Sequence, residues 1–231
     1  MTVEKRPIGR SGLEVAPLAL GGNVFDWTAD VETSFRLLDA FVEAGGTMID
    51  TADVYSAWVP GHQGGESEAV IGRWLKRDPS KRDKVVIATK IGMMAGLAPD
   101  TVETACDASL GRLGTHIDLY YQHKDDPGTP LAESLAAFDR LFKAGKIKAI
   151  GLSNFTAERV DEAMSTARAN ALTEPAALQP WYNLVEREKF EAELRDAARR
   201  HGLSVFTYYS VANGFLTGKY RRKEDLDQTL L

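Results

Sequence analysis

At 231 residues, 44% hydrophobic and 26% charged, the chain has the balance of a soluble globular protein able to bury a sizeable core. Its net charge of −5 and pI of about 5.5 argue against nucleic acid as the main partner, and no apolar run reaches the ~20 residues that span a bilayer. The lone cysteine, Cys106, rules out a disulfide framework within the chain; with no apolar leader in "MTVEKRPIGR", a cytoplasmic location is expected.

In chain order, "PIGRSGLEVAPLAL" alternates around Ser11-Gly12, a hairpin signal. "LALGG", 18–22, reads as the first core strand. The helix in "DVETSFRLLDAFVEAGG" follows, with Phe35, Leu38 and Val42 at helical spacing and Gly45-Gly46 as its stop. "MID" is a strand, "ESEAVIGRWLKRD" a helix, and "KVVIATK", 84–90, a β-branched run that predicts a fully buried strand. "DTVETACDASLGRLG" predicts a helix with Cys106 as a small buried side chain. Then come strand "IDLYYQH", helix "PLAESLAAFDRLFKAG", strand "KIKAIGLSN" and a helix capped by Thr156. Strand "PAALQPWYN", helix "REKFEAELRDAARRHG" and strand "LSVFTYYS" complete the pattern.

Unbroken strand-helix alternation implies parallel strands covered by helices, either a doubly wound sheet or a (β/α)8 barrel. Polar residues recur at successive strand ends: Asp50, Lys90, His123, Ser153-Asn154, Gln179 and Tyr208, at intervals of 40, 33, 30, 26 and 29 residues. A barrel brings all those ends to one rim, whereas an open sheet gathers only those beside its switch point, so the barrel is favoured. No G-x-G-x-x-G follows the first strand, and no P-loop occurs. Seven core strands and six helices are one strand and two helices short of a closed barrel. Residues 1–231 are therefore expected to form a single barrel domain lacking its C-terminal part, in a natural chain that continues.

A carboxylate at a strand tip is costly without a partner, and Lys90 at the tip of the next strand can supply one to Asp50. Its ammonium is expected to lower the pKa of nearby Tyr55 and make that phenol a general acid, with Asp50 holding Lys90 in place. His123 is a candidate to orient a substrate carbonyl or share its proton. Ser153, Asn154 and Gln179 offer groups suited to a planar carboxamide, and Tyr208 offers a face for stacking. A nicotinamide ring needs both, which points to carbonyl reduction.

"GRSGLEVAPLALGG", "AGGTMIDTADVY", "GGESEAVIGRWL", "VVIATKIG", "SLGRLGTHIDLYYQHKDD", "LFKAGKIKAIGLSN", "LQPWYN" and "GFLTGKY" together give the chain a resemblance to the aldo-keto reductases over nearly its whole length. The resemblance implies a (β/α)8 barrel, a catalytic tetrad of Asp50, Tyr55, Lys90 and His123, and NADPH (NADP+) extended across the rim. It implies that Ser153, Asn154 and Gln179 hold the carboxamide under a ring stacked on Tyr208. Tyr209, Ser210, Val211 and Asn213, with Lys219, would line the pyrophosphate. Gly22 and Asn23 match positions near the nicotinamide ribose, which Asp50 also touches. The seventh-strand loop departs from the family's Y-S-P-L-A-G-G, with Tyr209 for Ser and Ser210 for Pro. The family's 2′-phosphate site falls after the seventh strand, so NADPH over NADH is an implication of the family alone.

Other readings stand beside these. Lys90 at a strand tip also suits a Schiff base, as in barrel aldolases. The four histidines show no H-x-H or H-E-x-x-H spacing, so no metal is expected. Trp27 and Trp58, on loops after the first two strands, either wall an apolar substrate pocket or pack locally, whereas Trp74 reads as core. "RRKED" reads as a solvated loop. The substrate expected is a small carbonyl compound; nothing in the sequence sets the oligomeric state. The alternative function is a cofactor-binding regulatory subunit resembling the β subunits of voltage-gated potassium channels, with little turnover.

Overall fold

The computed structural model describes residues 3–222 and Asp225. Two short antiparallel strands, β1 (Arg6–Pro7) and β2 (Glu14–Val15), form the predicted hairpin. Gly9 at its turn has φ +49, and a Cβ there would stand 2.4 Å from the Ala176 carbonyl oxygen, so only glycine fits. The hairpin plugs one end of the sheet. Ile8 and Val15 are buried in one cluster with Met48, Ala88, Leu119, Tyr121, Ala149 and Ala177.

Seven parallel strands follow, each hydrogen-bonded to the next in chain order. They are β3 (Ala19–Gly21), β4 (Met48–Asp50), β5 (Val86–Ile91), β6 (Ile117–Gln122), β7 (Ile147–Ser153), β8 (Ala177–Gln179) and β9 (Ser204–Val205). The connecting helices are α1 (Val31–Glu43), α2 (Glu66–Arg77), α3 (Pro99–Leu113), α4 (Leu131–Lys143), α5 (Ala157–Ala169) and α6 (Arg195–His201). A doubly wound sheet reverses strand order at a switch point; this one never does. It is a curled parallel sheet with helices, a partial (β/α)8 barrel.

Period-2 alternation sorts the strand side chains. Met48, Ala88, Leu119, Tyr121 and Ala149 fill the inner cluster, while Ile49, Ile87, Tyr120 and Ile150 pack outward against the helices. The same alternation puts Asp50, Lys90, Ser153 and Gln179 on the inner face at the strands' C-terminal ends. Among the described residues, no helix is long and apolar enough to cross a membrane.

Three element boundaries differ from expectation. Lys84 belongs not to β5 but to a 3₁₀ turn, Pro79–Lys84, started by the Asp78 side chain accepting from Ser80 N. The sixth helix is split, with a π-helical turn at Phe190–Leu194 before α6. The last two strands are shorter than their apolar runs because Pro180 has no N–H for the ladder. Beyond β8 and β9 only an isolated bridge joins Trp181 to Tyr208. In "RRKED", Lys223 and Glu224 lie outside the described residues.

Candidate active site

The fully buried Lys90 ammonium is the hub of the rim. Its three donors are all used: Asp50 Oδ2 at 2.7 Å, the Thr51 carbonyl at 2.7 Å and the Tyr55 hydroxyl oxygen at 2.9 Å. Since the Tyr55 oxygen accepts from Lys90, its own proton remains to be donated elsewhere. Asp50 Oδ1 accepts from Gln179 Nε2 at 3.0 Å, tying β4 to β8 across the barrel mouth.

Burial alone would depress Lys90, but the Asp50 carboxylate and the Tyr55 contact outweigh it and raise its pKa, so the ammonium is secure. The expected lowering of Tyr55 is corrected. Burial raises the phenol by more than Lys90 lowers it, and Asp50 adds to the rise. Tyr55 is thus fully protonated near neutrality, as an acid must be. For His123 the structure fixes the charge state. Burial and the neighbouring Lys90 push the imidazole down to about 3, so it is neutral. Its ring lies 6.0 Å from that of Tyr55, and its buried Nδ1 has no hydrogen-bond partner among the described residues.

Beside this cluster the next two strand ends are strung together. Ser153 Oγ donates to the Gln179 carbonyl at 2.9 Å. Asn154, held in the left-handed region at φ 56, donates from Nδ2 to the His123 carbonyl at 2.8 Å and accepts from the Tyr208 hydroxyl at 2.5 Å. Tyr208 is half-buried, with Trp181 and Tyr209 ring centroids at 5.7 and 5.4 Å. Tyr209 (φ 58), Ala212 (φ 50) and Asn213 (φ 54) all adopt the left-handed conformation, a concentration of strain typical of ligand-holding segments. Ser210, Val211 and Asn213 are exposed there, and the Lys219 side chain folds back on Gly214, where a Cβ would meet its Cε at 3.1 Å.

On the other side, Gly22 N donates to the Asp50 carbonyl at 2.7 Å while Ser67 Oγ donates to the Gly22 carbonyl at 2.7 Å. A Cβ at Gly22 would stand 2.8 Å from Ser67 Oγ. Asn23 is exposed beside it. Trp27 and Trp58, both exposed, meet edge to face at 5.5 Å, and Trp58 meets Tyr55 at 6.2 Å, so the three rings form one aromatic cluster at the phenol. Trp74 is buried, with its indole N–H on Asp39 at 2.7 Å.

Sequence reasoning missed the Thr51 carbonyl, which carries no side-chain signal, and the Thr51–Ser67 hydroxyl pair that locks Gly22. Ser67 is the second residue of α2, where a buried serine hints at a partner. Among the described residues no group of three or more His, Cys, Asp or Glu is placed to hold a metal ion.

A family model described as "Aldo/keto reductase family" matches residues 17–230. Similar proteins include the uncharacterized oxidoreductase YrpG of Bacillus subtilis, 35% identical over 92% of this chain and 68% of that protein. Human aflatoxin B1 aldehyde reductase member 4 is 36% identical over 84% of this chain and 57% of its own length. A putative voltage-gated potassium channel subunit beta of Schizosaccharomyces pombe is 33% identical over 93% of this chain and 64% of its own. The chain thus spans between 57 and 68% of these relatives.

Proposed function

Because the chain belongs to the aldo/keto reductase family of oxidoreductases, we propose that it reduces aldehydes or ketones to alcohols with NADPH, using Tyr55 as general acid. The observation that carries this is the Lys90 hub, which binds the phenol through its oxygen and leaves its proton to give. A nicotinamide cofactor bound at the rim would supply the hydride for the carbonyl carbon. The proton moves from Tyr55 to the carbonyl oxygen, and the product is an alcohol. Asp50 fixes the ammonium, and neutral His123 offers an N–H toward the same oxygen.

The residues suit the cofactor. The Asn154 and Gln179 amides and the Ser153 hydroxyl match a carboxamide, and the Tyr208 ring stands beside them for stacking. Gly22, without a Cβ, and Asn23, with Asp50, would border the ribose, and Tyr209, Ser210, Val211, Asn213 and Lys219, in and beside the segment strained at Tyr209, Ala212 and Asn213, would take the pyrophosphate. Trp27 and Trp58 wall the substrate. The preference for NADPH over NADH follows the family, as does a small carbonyl compound as the partner; the single cysteine suits a reducing, cytoplasmic setting.

The test is NADPH consumption with 4-nitrobenzaldehyde or methylglyoxal. Measurable turnover that Tyr55→Phe removes is expected. A tight cofactor complex without turnover favours the second reading, a regulatory subunit, which the likeness to the fission yeast channel subunit supports.

A further inference from the structure

A second polar cluster lies directly behind the Lys90 hub, between the sheet and helices α2 and α3. Glu68, fully buried on α2, accepts from the Thr89 hydroxyl at 2.5 Å and from Arg112 Nε at 2.7 Å. Thr89 precedes Lys90, and strand alternation points its side chain to the opposite face. Arg112 on α3 reaches under the loop that carries Tyr55: a Cβ at Gly65 would stand 2.4 Å from its Nε. A Cβ at Gly64 would stand 2.6 Å from the Asp53 carbonyl oxygen. Asp53 sits in that loop between Asp50 and Tyr55. Its N–H donates to the Lys90 carbonyl at 3.1 Å, and its buried Oδ1 has no hydrogen-bond partner among the described residues. Two carboxyl groups thus share the neighbourhood of one guanidinium.

We propose that Asp53 is a positioning residue: its carboxyl competes with Glu68 for Arg112, and the outcome sets, through Glu68 and Thr89, how firmly β5 seats Lys90 against Tyr55. The charged and titratable groups around Asp53 are Glu68 on α2, Arg112 on α3, Lys90 on β5 and the Tyr120 phenol on β6. Burial first, and then Glu68, push Asp53 up to about 6, against the pull of Arg112 and Lys90. Below that pH the acid is neutral and Glu68 keeps Arg112. Above it the new carboxylate draws on Arg112, and the support of Thr89 slackens. The kinetic consequence rests on the reductase reading; the structural one does not.

The test compares the full chain with its Asp53→Asn variant from about pH 5 to about pH 8, by 4-nitrobenzaldehyde reduction and by thermal midpoint. In the wild type kcat falls roughly threefold as pH rises through about 6, with KM nearly constant. Asp53→Asn keeps its low-pH rate throughout, and its midpoint advantage over the wild type grows as pH rises from about 4 to about 6 and levels off above that. An unchanged inflection in the variant, or a midpoint difference that is the same at every pH, overturns the proposal. Should neither protein turn over, the reductase reading fails, and the midpoint comparison alone decides the role of Asp53.

Discussion

At the scale of single residues, the phenol and the ammonium have separable jobs. Tyr55→Phe deletes one hydroxyl that accepts from Lys90 and, in the proposed reaction, donates to substrate. Loss of general-acid assistance lowers kcat by about 10²- to 10⁴-fold. Cofactor affinity, read by fluorescence titration, stays close to wild type, since the proposed cofactor contacts are Ser153, Asn154, Gln179 and Tyr208; wild-type-like turnover would end the assignment of the acid. Lys90→Met acts differently, because it strands the Asp50 carboxylate in a largely buried site. Breaking a buried pair costs about 3–5 kcal/mol, so this variant loses stability as well as turnover. Adding Asp50→Leu removes the stranded charge and recovers much of that stability, but no activity. Denaturant midpoints of the single and double variants check this; equal midpoints would show that no charge had been stranded. The Asp50–Lys90 pair was legible in the sequence because the tips of adjacent strands have predictable neighbours, whereas Tyr55 lies in the turn after β4. The direction of the Tyr55 shift was not legible, since it depends on how deeply the fold buries the ring.

At the scale of elements, glycine positions within helices show where packing overrides propensity. Gly72 on α2 and Gly111 on α3 are both helical, and alanine at either improves intrinsic helicity by about 1 kcal/mol. At Gly111 a Cβ meets nothing within 4 Å, so Gly111→Ala is stabilising by about that amount. At Gly72 a Cβ would stand 2.1 Å from the Arg112 carbonyl oxygen, on the backbone of the neighbouring helix. Backbone cannot rotate aside, and forcing α2 from α3 outweighs the helix gain, so Gly72→Ala is destabilising by about 1–3 kcal/mol. Urea unfolding of the two variants gives opposite signs; two shifts of the same sign would mean that the α2–α3 contact is loose. The helices were legible from their apolar spacing and caps, as with Thr156 at the start of α5. The shortness of β8 and β9 was also written in Pro180, but a β-rich run hides one missing donor. The π turn at Phe190–Leu194 has no sequence signal in propensity alone.

At the scale of the whole molecule, His123 and Asp53 pull the pH dependence of stability in opposite directions. His123 has a folded pKa of about 3, below its ordinary 6.5. The unfolded chain therefore takes up a proton that the folded chain refuses, and the stability present above pH 6.5 is lost as pH falls toward 3, on the order of 5 kcal/mol in total. Asp53 has a folded pKa of about 6, above its ordinary 3.8, so its burial favours folding in acid and that contribution is lost as pH rises from 3.8 through 6. Between those two values each group exchanges close to one proton, with opposite sign, and the slopes cancel to within a fraction of about 1.4 kcal/mol per pH unit. Removing one group exposes the other. Asp53→Asn makes stability fall more steeply on acidification from about pH 6 to about pH 4, while His123→Gln makes it fall less steeply or rise. Carboxylates held low by their partners, such as Asp118 and Asp161, titrate in all three proteins and drop out of the differences. Urea unfolding free energies at about pH 4, 6 and 8 measure this directly. Parallel curves for the wild type and both variants would mean that neither side chain is buried as the barrel mouth places it.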